Sequence, residues 1–117
     1  MTGSVIADAG PLVGLARIGL LDLLRDLYQE ILIPPRVFDE LRVSESRLGS
    51  RALLEAIRLQ WLVCVQPEPT EELQSLLLLV DPGEAEAIIL AIQRGARFLL
   101  IDDKQGGPLQ RAAGFAS

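Results

Sequence analysis

Four short apolar runs, set apart by chain with helical periodicity, constrain this sequence more than any other feature. Val5–Ala7, Ile31–Ile33, residues 61–65 and Phe98–Ile101 carry no charge and are bounded by polar residues or proline. Runs of that length and composition read as strands buried on both faces. A sheet of such strands is parallel and covered by helices on either side. The expected fold class is therefore α/β, a parallel-sheet three-layer α/β/α domain. The 117 residues supply one domain and no second.

The helical patterns between the strands have readable ends. A short helix from Pro11 to about Ile18 is expected to stop at Gly19, and Leu20, Leu23, Leu24 and Leu27 then mark an apolar face at i, i+3, i+4 and i+7. Pro34-Pro35 ends the second strand and opens a helix with Val37, Phe38 and Leu41 on its apolar side. Residues 48–60 continue helically, with Arg51 and Glu55 spaced for an i, i+4 pair. Thr70 before Glu71-Glu72 has the form of a cap with acids in the first turn. Asp81-Pro82-Gly83-Glu84 is the clearest helix start, with Asp at N-cap, Pro at N1 and Glu at N3, and Gly95 after Arg94 is the matching stop. Trp61 and Cys64 read as core strand residues.

Composition removes several chemistries. The absence of histidine excludes imidazole relays and His-ligated zinc, and the single cysteine, Cys64, excludes an internal disulfide and a multi-cysteine zinc site. A net charge of −5 argues against a DNA-coating role, so a polyanion must be met by a local basic surface. No apolar stretch approaches the ~20 residues needed to cross a bilayer, and the amino terminus lacks a basic segment before an apolar run. A reducing, cytoplasmic setting is the expectation.

Carboxylates remain as the chemical tools. In open parallel sheets, ligands bind at the carboxyl edge of the strands. Asp8 directly follows the first strand and Asp102-Asp103 the fourth, so both sites share one edge if those strands are neighbours. Glu86 stands in Ala85-Glu86-Ala87-Ile88-Ile89-Leu90, a helix with little polar circumference, where a carboxylate needs a hydrogen bond, an arginine partner or a cation. Glu40 lies just over a turn into the helix after the second strand, within reach of the same edge. Glu84 is explained as the capping-box acid. Acids converging there repel one another unless a hard divalent cation intervenes, and oxygen-only ligation selects Mg²⁺ or Mn²⁺. Such an ion activates water for phosphodiester cleavage. Taken singly, Asp8 is equally a helix cap, and Asp102-Asp103 a plain loop.

Val5-Ile6-Ala7-Asp8-Ala9, Ile33-Pro34-Pro35 with Glu40, Gly83-Glu84-Ala85-Glu86-Ala87-Ile88 and Leu99-Leu100-Ile101-Asp102-Asp103 together resemble the PIN domain family, from near Val5 to about Gly114. The resemblance implies Mg²⁺- or Mn²⁺-dependent endoribonuclease activity, often as the toxin of a toxin–antitoxin pair and often as a homodimer. Carried over by position, Asp8, Glu40, Glu86 and Asp103 are the implied catalytic acids, with Asp102 the competing metal ligand beside Asp103. Gly10 stands where many relatives have Ser or Thr, and the segment after the Asp pair keeps one cation, Lys104. A chain ending at Ser117 is expected to lack the family's last strand and terminal helices. These departures support a second reading, a catalytically weak or inactive PIN-like module that binds RNA or a partner protein.

Candidate RNA contacts are Arg36, Arg42, Arg47, Arg51 and Lys104, because guanidinium suits bidentate phosphate contact. Against that stands an ordinary solvated helix surface. With only five aromatic side chains, mostly in apolar patterns, base stacking is not expected to dominate.

Overall fold

The computed structural model describes residues 3–43, 48–101 and 111–114. In chain order these form β1 (Val5–Ala7), α1 (Ala9–Arg17), α2 (Asp22–Tyr28), β2 (Ile31–Ile33), α3 (Pro35–Val43), α4 (Ser50–Arg58), β3 (Leu62–Cys64), α5 (Glu71–Leu77), α6 (Pro82–Arg94), β4 (Phe98–Ile101) and β5 (Arg111–Gly114). The sheet order is β3-β2-β1-β4-β5. The first four strands are mutually parallel, with Ile6 opposite Leu32 and Leu99, and Leu32 opposite Val63.

Side chains alternate across the sheet with the strand period of two. Val5, Ala7, Ile31, Ile33 and Leu100 face one layer, where they pack with Leu12, Ala16, Leu24, Val37, Leu53 and Trp61. Ile6, Leu32 and Leu99 face the other, against Ala87, Leu90 and Ala91 of α6. A satellite core of Leu73, Ala85 and Ile89 joins α5 to α6. This is the expected three-layer α/β/α arrangement.

The helix starts follow the sequence closely. Thr70 accepts from the Leu73 N–H at 3.2 Å, Asp81 accepts from the Gly83 N–H at 3.1 Å, and Gly95 closes α6 in the left-handed region at φ 58°. A Gln93 side chain clasps the preceding loop, accepting from the Glu68 N–H and donating to its carbonyl at 2.9 and 3.0 Å.

Four expectations need correction. The first helix begins at Ala9, earlier than Pro11, because Asp8 caps it. Around α2 the buried leucines are Leu21, its N-cap, and Leu24, while Leu20 just before the helix, Leu23 and Leu27 are exposed, Leu27 to 70%. Leu20, Leu21, Leu23, Leu24 and Leu27 spread over an arc of about 160°, wider than the strip that meets the sheet, so periodicity identifies the helix but not which flank is covered. Glu55 pairs with Arg58 at i, i+3, not with Arg51. The chain also does not lack a strand after β4: Arg111–Gly114 runs antiparallel to it, with Leu99 opposite Ala113. Alanines and glycine carry little apolar signal, and ladder hydrogen bonds supply the pairing. The sheet is therefore four parallel strands with one antiparallel edge.

Candidate functional site

The chain passes from β1 to β2 and β3 on one side and returns on the other for β4. The gap at the carboxyl ends of β1 and β4 is thus the topological switch point, where such sheets bind ligands. Asp8 is the first residue beyond β1. Its N–H donates to the Leu100 carbonyl at 2.9 Å, and its Oδ1 accepts from the Ala9 N–H at 2.8 Å as the cap of α1. The residue is half-buried at this edge. Ala7 pairs with Leu100, so Asp8 is level with Ile101 at the end of β4.

α3 leaves β2 at this edge, and α6 returns the chain to β4, so both helices begin here. Pro34-Pro35 offers α3 no side-chain oxygen for its orphaned amides. The Arg36 N–H is satisfied from α6 instead, donating to Glu86 Oε1 at 3.1 Å although the two residues are 50 apart in sequence. Glu40 of α3 in turn lays its carboxylate on the first turn of α6, where a Cβ placed on Gly83 would stand 2.8 Å from Glu40 Oε1. Each helix so presents an acid to the positive end of the other. Between them opens a cavity of about 310 Å³ lined by Arg36, Asp39, Glu40, Asp81, Pro82 and Gly83.

Glu86 is half-buried, less enclosed than the apolar sequence around it implies, and the arginine partner the sequence allowed is a backbone amide. Cys64 is corrected from core to exposed, because it ends the edge strand β3. Partial burial raises the pKa of its thiol, with the Asp39 and Glu86 carboxylates pushing in the same direction. Those two acids therefore share a neighbourhood with the end of β3. Asp39 was not singled out from sequence. Its place directly before Glu40 was the available signal.

Asp102, Asp103, Lys104 and Arg47 lie outside the described residues. Among the described residues, no three His, Cys, Asp or Glu side chains form a group that could hold a metal ion. The acids that do reach the edge, Asp8, Glu40 and Glu86, offer carboxylate oxygen alone, and that donor chemistry fits Mg²⁺ or Mn²⁺. Of the basic candidates, Arg36, Arg42 and Arg51 are exposed, and Arg36 lines the cavity. Arg42 stands over the Phe38 ring, 5.9 Å from its centroid. The hydrogen bond from Arg58 holds the Glu55 carboxyl below its ordinary value and raises Arg58, a surface pair distant in role from the cavity.

A family model described as a PIN domain matches residues 4–116. No curated protein and no solved structure matches the chain. PIN domains are nuclease-type folds that generally use divalent metals and act on RNA. With a match across nearly its whole length, and an α/β/α fold consistent with it, the chain belongs to the PIN domain family.

Proposed function

We infer that this PIN domain is a Mg²⁺- or Mn²⁺-dependent endoribonuclease, working in the cytoplasm as the toxin of a toxin–antitoxin pair. One observation carries the reading: two helices that begin at the carboxyl edge place Glu40 and Glu86 against each other's first turns, on the edge where Asp8 marks the switch point. Asp8, Glu40, Glu86 and Asp103 are the catalytic acids and would together hold one or two ions, with Asp102 as the alternative ligand beside Asp103. When bound, such an ion neutralises the converging carboxylates and activates water for in-line attack on phosphorus. The chain's own part is to fix Asp8 by its backbone bond to Leu100 and by its helix cap, and to hold Glu86 through the Arg36 amide. Among the described residues, Arg36 is the cation that lines the cavity, and it would meet a substrate phosphate there. Arg42, Arg47, Arg51 and Lys104 serve as secondary phosphate contacts.

A homodimer and an antitoxin protein are the partners this reading brings. The exposed ridge of Leu20, just before α2, with Leu23 and Leu27 on it supports a protein contact, since apolar residues grouped on a surface favour burial. Among the described residues, no helix is long and apolar enough to cross a membrane.

The second reading, a module that binds RNA or a partner without cutting, is favoured by the structural duty of Asp8 Oδ1 and Glu86 Oε1, each of which accepts a backbone amide at a helix start. An RNA-cleavage assay with Mn²⁺ separates the two. Asp8→Asn is expected to lower cleavage by more than about 100-fold, beyond what an outer partner of a metal ligand costs. Cleavage undiminished in that variant rejects the assigned site, and wild-type protein that binds RNA but never cuts it establishes the binding module.

A further inference from the structure

Helix physics does not ask for a glycine at the second position of α6. The left-handed glycines among the described residues are Gly19, Gly49 and Gly95, so Gly83 keeps a backbone conformation that alanine adopts readily. What excludes a side chain there is space. A Cβ on Gly83 would lie 2.8 Å from Glu40 Oε1, 3.5 Å from Glu40 Cδ and 3.3 Å from Asp81 Oδ2, and the first of these is closer than real Cβ contacts come. The Asp81 carboxylate is tied down by the Gly83 N–H, whereas the Glu40 carboxylate is the end of a long side chain reaching over from α3. An added methyl group would displace Glu40.

We propose that Gly83 is a positioning residue for Glu40: the missing side chain is the seat that lets this carboxylate rest on the first turn of α6, at the wall of the cavity between α3 and α6. The positive end of the helix favours an ionised carboxylate in that seat. The role of the seat in ion binding rests on the metal-site reading above, whereas the seat itself is a property of the metal-free chain.

Three measurements on the full chain test it. With glutamate labelled at the carboxyl carbon, the Glu40 resonance, assigned by its loss in Glu40→Gln, is expected to shift in metal-free Gly83→Ala. Melting temperatures form a cycle: Gly83→Ala in a Glu40→Ala background, where the seat is empty, is expected to leave the melting temperature unchanged or raise it. Mn²⁺ binding, followed by the electron paramagnetic resonance of the free ion, is expected to weaken by about 10- to 100-fold in Gly83→Ala, the range for residues that orient a ligand. The double variant Gly83→Ala/Glu40→Gln should bind no more weakly than Glu40→Gln alone. An unmoved Glu40 resonance overturns the proposal. So does a Gly83→Ala melting loss that is equal in both backgrounds, or a double variant whose loss is the product of the single losses. Wild-type protein that binds no Mn²⁺ while the Glu40 resonance shifts in Gly83→Ala supports the seat and rejects the metal reading, so the two failures are distinguishable.

Discussion

Glu86 shows how a single side chain serves structure and site together. Its carboxylate satisfies the Arg36 amide at a helix start built from two prolines, which cannot cap themselves. Glu86→Ala removes that acceptor, and because the amide regains water the cost should fall at the lower end of cap energetics, about 0.5–1 kcal/mol by urea denaturation. Glu86→Gln, which keeps an oxygen acceptor, should cost less, and an equal cost for both would show that the charge and not the bond matters. Cys64 reports on the same acids. Burial first, then Asp39 and Glu86, raises its thiol pKa, so the neutral form is favoured in the folded state. Alkylation of folded protein should therefore titrate at higher pH than alkylation of urea-unfolded chain, and Glu86→Gln should move the folded curve part of the way back. By linkage, the contribution of this thiol to stability is present below its unfolded pKa and is lost as pH rises through the raised folded value. A folded-state curve at or below the unfolded one would contradict the assignment. Asp8 was readable because a charge directly after an apolar strand stands out in one window of sequence. The bond between Glu86 and the Arg36 amide was not, since nothing local in either segment names a partner 50 residues away.

Among the elements, glycine positions separate propensity from packing. Gly14 lies inside α1 with open space where a Cβ would go, so Gly14→Ala should stabilise by about 0.5–1 kcal/mol. Gly49, at φ 90° before α4, has a phantom Cβ 2.7 Å from the Ala16 carbonyl carbon and 2.9 Å from the Arg17 nitrogen. Backbone cannot step aside as a side chain can. Gly49→Ala combines left-handed strain with overpacking between α1 and α4, and should destabilise by about 2–4 kcal/mol. A denaturant midpoint that falls in Gly14→Ala, or one that holds or rises in Gly49→Ala, would refute the account of that position. The caps at Thr70, Asp81 and Gly95 were legible because capping is local chemistry written in three or four adjacent residues. The flank of α2 and the strand β5 were not. A leucine arc broader than the buried strip hides the helix's orientation, and Arg111–Gly114 joins the sheet through backbone pairing with no apolar run to announce it.

At the scale of the whole molecule, a chain of net charge −5 would meet RNA through local positive side chains such as Arg36, which lines the α3–α6 cavity. Each phosphate contact on a single strand contributes about 0.7 to the slope of log affinity against log salt. In metal-free binding measured by fluorescence anisotropy, Arg36→Ala should flatten that slope by roughly this amount. Arg58→Ala should not, because its guanidinium is held by Glu55. Equal effects of the two would mean that RNA does not approach over the α3–α6 cavity. β1 is the middle rung of the five, and its three residues are at most 5% exposed. Asp8 thus grows from the central strand of the sheet, which is paired on both sides, and its own amide is held by β4. Glu40 and Glu86 hang from outer layers on longer stems. The short aspartate thus takes its position from the sheet, and the two longer acids take theirs from each other's helices, so the spacing of all three is set by how α3 and α6 pack over the strands.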